Sequence, residues 1–204
     1  MELIICTVAV APLRKEPNHR SEMVSQVLFG ELAEILETKD EWLHIRLLND
    51  NYEGWLTEHL VEAYKAPQVK NEPVYTASGL TNTININHSV IHAPMGASLT
   101  GFNESTKYLW DEKYSYKGEF KKTADPFNLE QLLQSMKLWI NAPYLWGGKT
   151  YMGVDCSGFV QVVFKVQGVQ LKRDAYMQAE QGTLVGNLKD TKPGDLAFFH
   201  NANG

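Results

Sequence analysis

The segment Trp42-Leu43-His44-Ile45-Arg46-Leu47 alternates apolar and polar positions, the period of a strand with one face buried. Around it the first 64 residues are dense in similar signals. Val24 to Leu28 is apolar-rich, Phe29-Gly30 marks a turn, and Glu31 to Leu36 is another short apolar run. Asn49-Asp50-Asn51 is a turn cluster, and Tyr52-Glu53-Gly54-Trp55-Leu56 opens the next strand. Short strands at this spacing predict a small antiparallel barrel over residues 1–64. Residues 65–125 show the same kind of pattern. Val90-Ile91-His92 runs into Ala93-Pro94-Met95-Gly96, and Lys113 to Phe120 alternates large and polar residues around Gly118. A second small β domain is expected there, with Lys121 to Pro126 as a linker.

From Asn128 the period changes. Leu129, Leu132, Leu133, Met136, Leu138 and Ile140 follow helical spacing, and Asn141-Ala142-Pro143 ends the helix. Gly147-Gly148 and Gly153 precede Asp155-Cys156-Ser157-Gly158, and Phe159 to Val166 reads as a buried helix despite its β-branched residues. Lys192 to Asp195 is a turn, and Leu196-Ala197-Phe198-Phe199 is expected as a buried strand. Asn203-Gly204 is a strong hairpin-turn signal with no second strand after it.

The 204 residues are 44% hydrophobic and 21% charged, enough for packed cores. The net charge of -5 argues against nucleic acid as a partner. It is unevenly spread: residues 1–64 carry 5 Lys and Arg against 12 Asp and Glu, while the two later segments are nearly balanced. No apolar run approaches the roughly 18–20 residues that span a membrane. The start, Met1 to Val8, lacks a basic region and a cleavage site and reads as a strand, so a cytoplasmic location is expected unless a leader was removed before this numbering begins. Two distant cysteines make no disulfide framework, and no C-x-x-C or H-E-x-x-H offers a metal site; no cofactor is expected.

Cys156 would lie at the N-terminus of the predicted helix, where free N–H groups and the helix dipole favour a thiolate. That placement suits attack on an amide carbonyl, with a backbone N–H near Cys156 to hold the oxyanion. A buried structural cysteine is the competing reading. Cys6, inside an apolar strand, reads as core.

Four motifs occur in order: Pro143-Tyr144-Leu145-Trp146-Gly147-Gly148, Asp155-Cys156-Ser157-Gly158-Phe159-Val160-Gln161, Arg173-Asp174-Ala175-Tyr176-Met177-Gln178 and Pro193-Gly194-Asp195-Leu196-Ala197-Phe198-Phe199. With them, residues 126–204 resemble the NlpC-type cell-wall cysteine peptidases, a papain-like family. Pro12-Leu13-Arg14, Phe29-Gly30-Glu31, Trp42 and Tyr52-Glu53-Gly54-Trp55 make residues 1–64 similar to a bacterial Src-homology-3-like domain, and residues 65–125 look like a divergent second copy. The implied class is α+β: two small Src-homology-3-like β-barrels followed by a papain-like α+β peptidase domain, truncated at its C-terminal side. The order is similar to that of γ-D-glutamyl-L-diamino acid endopeptidases, which trim murein peptides.

The resemblance implies Cys156 as the nucleophile on the D-Glu carbonyl of a γ-D-Glu–diamino acid bond. A histidine would take its proton and a third residue would orient that histidine, both expected beyond Gly204. His200 stands where the family does not place its base. The chain as written is therefore expected to be a shortened peptidase with little activity. On the substrate side the resemblance carries over Asp155 and Ser157 as peptide contacts, Asp155 pairing with the free amine of an N-terminal L-Ala. Capping of the helix is the plainer role for Asp155. Tyr144 would reach the site and Trp146 would line the groove, with ordinary packing as its alternative. Arg173 and Asp174 would border the site, Arg173 holding the D-Glu α-carboxylate, with a structural ion pair as the alternative. Gln178 completes that motif, and Ala175 stands where many relatives have Ser. In the first domain Glu53, with Tyr64 as second candidate, would supply a carboxylate for the free amine, against the plain reading of a solvated surface Glu. The expected partner is a murein-derived peptide, with no nucleic acid or membrane, and the expected form is a monomer. A secreted hydrolase of intact murein and an incomplete wall-binding module are the competing readings.

Overall fold

In the computed structural model, which describes residues 2–65, 74–110 and 113–199, the alternating segments of the first 64 residues form one antiparallel sheet. Its strands are β1 (Leu3–Cys6), β2 (Val10–Arg14), β3 (Met23–Leu28), β4 (Leu32–Lys39), β5 (Trp42–Leu47), β6 (Glu53–Thr57) and β7 (Val61–Ala63), in the order β3-β2-β6-β5-β4-β1-β7. Leu43, Ile45 and Leu47 of β5 point inward with Leu13, Val27, Ala33 and Leu56 around one core, as the alternation requires. The run expected to end at Leu36 continues to Lys39. A register shift between Ile35 and Glu37 turns Leu36 outward. The sheet is the Src-homology-3-like barrel expected of this segment.

The second β unit holds β8 (Tyr75–Ala77), β9 (Thr81–Ile86), β10 (Ser89–Pro94), β11 (Tyr108–Leu109), β12 (Tyr114–Lys117) and β13 (Phe120–Lys122). Four of these make a sheet in the order β10-β9-β12-β11, and β13 pairs with β8. Lys121 and Lys122, expected in a linker, are strand residues opposite Thr76 and Tyr75. Lys121 Nζ also reaches Gln167 Oε1 at 2.5 Å, so the segment is fastened to the next unit instead of running free.

That C-terminal unit contains α1 (Leu129–Lys137), the hairpin β14 (Lys149–Thr150) and β15 (Gly153–Val154), α2 (Cys156–Val166) and the short α3 (Ala175–Ala179). Asn128 caps α1 by accepting from Gln131 N. Leu132 and Trp139 pack against Val162, Val163 and Val166 of α2. Leu196 to Phe199, expected as a buried strand, is neither: Phe199 is 93% exposed and no strand pairs with the segment among the described residues.

The end of β3 and the turn after it join all three units. Val27 enters the barrel core, Leu28 the core of the C-terminal unit, and Phe29 the aromatic core of the second β unit, stacked on Trp110 at 5.2 Å. Gly30 has φ +74°, and a Cβ there would fall 1.8 Å from Ser98 O, so only glycine allows this approach. Glu31 follows it into a buried position beside Lys149 and Lys165.

Candidate active site

Cys156 is the first residue of α2 and its thiol is exposed. Asp155 precedes it in extended conformation, and its Oδ1 accepts from Gly158 N at 2.7 Å, the N-cap that the residue type predicts. Its Oδ2 accepts from Gly147 N at 2.8 Å, tying the glycine loop to the helix start. Gly147, at φ +76°, lies against β3: a Cβ would sit 2.3 Å from Met23 O.

The Asp155 carboxylate also receives Arg173 in a two-pronged pair, with Nη2 to Oδ2 at 2.6 Å and Nη1 to Oδ1 at 3.1 Å. Both side chains are buried, and Ser157 Oγ donates to Oδ1 at 3.3 Å. Five donors thus converge on its two oxygens. This carboxylate caps the helix and anchors Arg173, and it lines the cleft beside Cys156. Arg173, only 1% exposed, directs Nε to Ser25 Oγ at 3.0 Å and Nη1 to Ser157 Oγ at 2.8 Å, so its fork is held by protein groups. Ser157, itself buried, is a bridge between Arg173 and Asp155. Gln178, buried on α3, donates to Ser157 O at 3.0 Å and Lys172 O at 2.8 Å, fastening α3 under α2.

Around Cys156 opens a cleft of about 1260 Å³, with walls from both the first barrel and the C-terminal unit. Tyr144 and Trp146 line it and are 69% and 61% exposed. Trp146 Nε1 donates to Glu22 Oε1 at 2.8 Å, which fixes that indole against the barrel. Asp174, half-buried, accepts from Tyr52 Oη at 3.2 Å across the two units. Burial, and then the Asp174 carboxylate, push the Tyr52 phenol well above its ordinary pKa, so it stays a donor. Glu53 lines the cleft from β6 with its side chain 41% exposed. It is not simply solvated: Arg46 Nη2 stands 2.7 Å from Oε1, and His44 Nε2, stacked on Trp55, lies 3.9 Å from Oε2. His200 lies outside the described residues, as does the Asn203-Gly204 turn. Tyr64 ends the first segment, its backbone N–H bonded to Leu3 O.

Gln161, Lys165, Lys149, Asp50 and Ser25, to which no local motif assigns a role, hold α2 and the glycine loop to their neighbours. A signal existed: Gln161 and Lys165 are polar residues four apart inside an otherwise apolar helix.

Residues 141–204 match the NlpC/P60 family and residues 13–59 match the bacterial dipeptidyl-peptidase Sh3 domain. The chain is 27% identical to the gamma-D-glutamyl-L-lysine dipeptidyl-peptidase of Bacillus subtilis strain 168 over 190 residues, covering 86% of this chain and 63% of that protein. It is 25% identical to the gamma-D-glutamyl-L-lysine dipeptidyl-peptidase of Bacillus cereus over 213 residues, covering 92% of this chain and 63% of that protein. Each relative is thus matched over less than two thirds of its own length. In fold it is similar to the crystal structure of an NlpC/P60 family protein from Bacillus cereus ATCC 10987, with a TM-score of 0.80 at 19% identity, covering 94% of this chain and 81% of that one. A capped helix presenting an exposed cysteine, behind an Src-homology-3-like barrel, accords with these matches: the chain carries a bacterial SH3 domain and an NlpC/P60 domain and is homologous to the gamma-D-glutamyl-L-lysine dipeptidyl-peptidases.

Proposed function

We propose that this chain carries the nucleophile and the substrate cleft of a cysteine peptidase that hydrolyses the γ-D-glutamyl–diamino acid bond of murein peptides bearing a free N-terminal L-Ala, in the recycling of such peptides in the cytoplasm. The observation that carries this reading is the exposed Cys156 thiol at the N-terminus of α2, in a cleft whose facing wall is the first barrel. Sγ attacks the γ-carbonyl carbon of D-Glu and the carbonyl π pair moves onto oxygen. The first N–H groups of a helix have no intrahelical acceptor, so the N–H of Cys156 is the natural donor to that oxyanion. Collapse breaks the C–N bond, the diamino acid leaves as an amine with the proton a general base has taken, and water then cleaves the thioester to restore the thiol. Tyr144, Trp146, Ser157 and Asp174 border the peptide. By the family resemblance, the general base that takes the thiol proton is a histidine.

Glu53 is the proposed partner of the substrate's ammonium group. Glu53 is part-exposed in the wall of the cleft, which Asp155 lines as well. A barrel wall at that end suits short, already cut peptides better than intact cross-linked murein. Comparing L-Ala-γ-D-Glu-L-Lys with its N-acetylated form tests the reading: loss of cleavage on acetylation is expected, and equal cleavage of both refutes recognition of the free amine.

A further inference from the structure

The helix that presents Cys156 carries three buried polar side chains at i, i+4 and i+8: Ser157, Gln161 and Lys165. Its apolar side, with Val162, Val163 and Val166, packs on Leu132 and Trp139 within its own unit. The polar stripe instead faces the β units, with Lys165 and Gln161 bonded directly to the first barrel and Ser157 linked to it through Arg173. Lys165 Nζ donates to Glu31 Oε1 at 2.7 Å and to Ser98 Oγ at 3.0 Å. Gln161 Nε2 donates to Asp50 Oδ2 at 2.8 Å and to Leu171 O at 2.9 Å. Ser157 Oγ accepts from Arg173, whose Nε donates to Ser25 Oγ. The barrel residues come from three places in its chain: Ser25 within β3, Glu31 in the turn after it, and Asp50 in the turn between β5 and β6.

Such an interface is a costly way to obtain stability alone. Lys149 Nζ is a second buried ammonium, 3.5 Å from the same Glu31 oxygen and without a hydrogen-bond partner among the described residues. Apolar side chains of similar shape would serve cohesion as well or better. Hydrogen bonds differ from apolar contact in being directional. Set at both ends and the middle of an 11-residue helix, they fix its rotation and its position along its axis. We propose that Glu31, Asp50 and Ser25 of the first barrel are positioning residues that hold the nucleophile helix in one register, so that the barrel sets the position of Cys156 as well as walling the cleft. The consequence for rate rests on Cys156 being the nucleophile; the positioning itself does not.

The test attaches a trifluoroacetonyl group to Cys156 with bromotrifluoroacetone and reads its fluorine resonance. Cys6 remains unlabelled in the folded protein, because it is 1% exposed and burial pushes its thiol up to about 12. The wild-type chain is expected to give one narrow line. Gln161→Leu, Lys165→Met and Asp50→Leu are each expected to split that line or broaden it at least twofold, with Cys6 still protected. Asp50→Asn, which keeps a polar partner for Gln161, is expected to retain the wild-type line. The proposal is overturned by an unchanged line in the apolar variants, by an Asp50→Asn spectrum as disturbed as that of Asp50→Leu, or by labelling of Cys6, which would show that the stripe maintains the fold instead. The labelling rate answers a separate question. A Cys156 no faster than cysteine in an unstructured peptide counts against the nucleophile and leaves the line shape readable.

Discussion

Arg173 and Asp155 form a two-pronged ion pair next to Cys156, with Nη2–Oδ2 at 2.6 Å and Nη1–Oδ1 at 3.1 Å, closed off from solvent. The same carboxylate caps α2 and holds Gly147, so one residue sets both the helix start and the loop beside it.

Removing Arg173 leaves that carboxylate buried without its counter-charge. Arg173→Leu should lower unfolding stability by about 3–5 kcal/mol, and Arg173→Lys, which keeps the charge and loses the fork, by less. Urea denaturation checks both. Equal stability of Arg173→Leu and wild type would show that the pair does not hold the site.

Glu31 predicts a pH dependence. Burial alone would raise its pKa, but the Lys149 and Lys165 ammonium groups, with the Leu28 N–H, outweigh that and hold it below the ordinary carboxylate range. A carboxylate with a depressed native pKa contributes its full stability above the unfolded value of about 4.3, and loses it as the pH falls through the native value. Wild type should therefore lose stability steeply below about pH 4. Glu31→Gln should be less stable at pH 7 and show a shallower acid slope. Thermal melts from pH 7 to 3 measure this, and parallel curves for the two proteins would contradict it.

Gly147→Ala places a Cβ at φ +76° and 2.3 Å from Met23 O. The left-handed backbone alone costs about 1–2 kcal/mol for a side chain, and the clash adds to it. The variant should melt several degrees lower, read by circular dichroism. An unchanged melt would mean that the loop does not need this close approach to β3.

Glu53→Gln keeps the shape of the cleft wall and removes its charge. In an enzyme that recognises a free amine, KM for L-Ala-γ-D-Glu-L-Lys should rise about tenfold or more with little change in kcat, since a hydrogen bond to a charged group contributes about 1.5–3 kcal/mol. Unchanged KM would remove Glu53 from the site and direct attention to Asp174.

The barrel was legible because period-two alternation at Leu43, Ile45 and Leu47 maps directly onto one buried face. Cys156 at a helix start was legible from the glycine loop before it and the unbroken apolar run after it. Other features depend on contacts that a local pattern does not carry. Val27, Leu28 and Phe29 look alike in sequence yet enter three different cores. Asp155 and Arg173 are eighteen residues apart, and only the fold brings them to each other. Lys121 and Lys122 resemble a linker by composition, because strand pairing with Tyr75 and Thr76 depends on a segment more than forty residues away. Phe198 and Phe199 resemble a buried strand by apolarity, yet both are exposed among the described residues.

The central claim is that Cys156 breaks the γ-D-glutamyl–diamino acid bond. Its most direct test is mass-spectrometric identification of the products of L-Ala-γ-D-Glu-L-Lys with the protein expressed at the full length its gene encodes, beside its Cys156→Ala variant. The wild type should give L-Ala-γ-D-Glu and free lysine, and the variant should leave the tripeptide intact. Undiminished cleavage by Cys156→Ala, or scission between L-Ala and D-Glu, would contradict the claim.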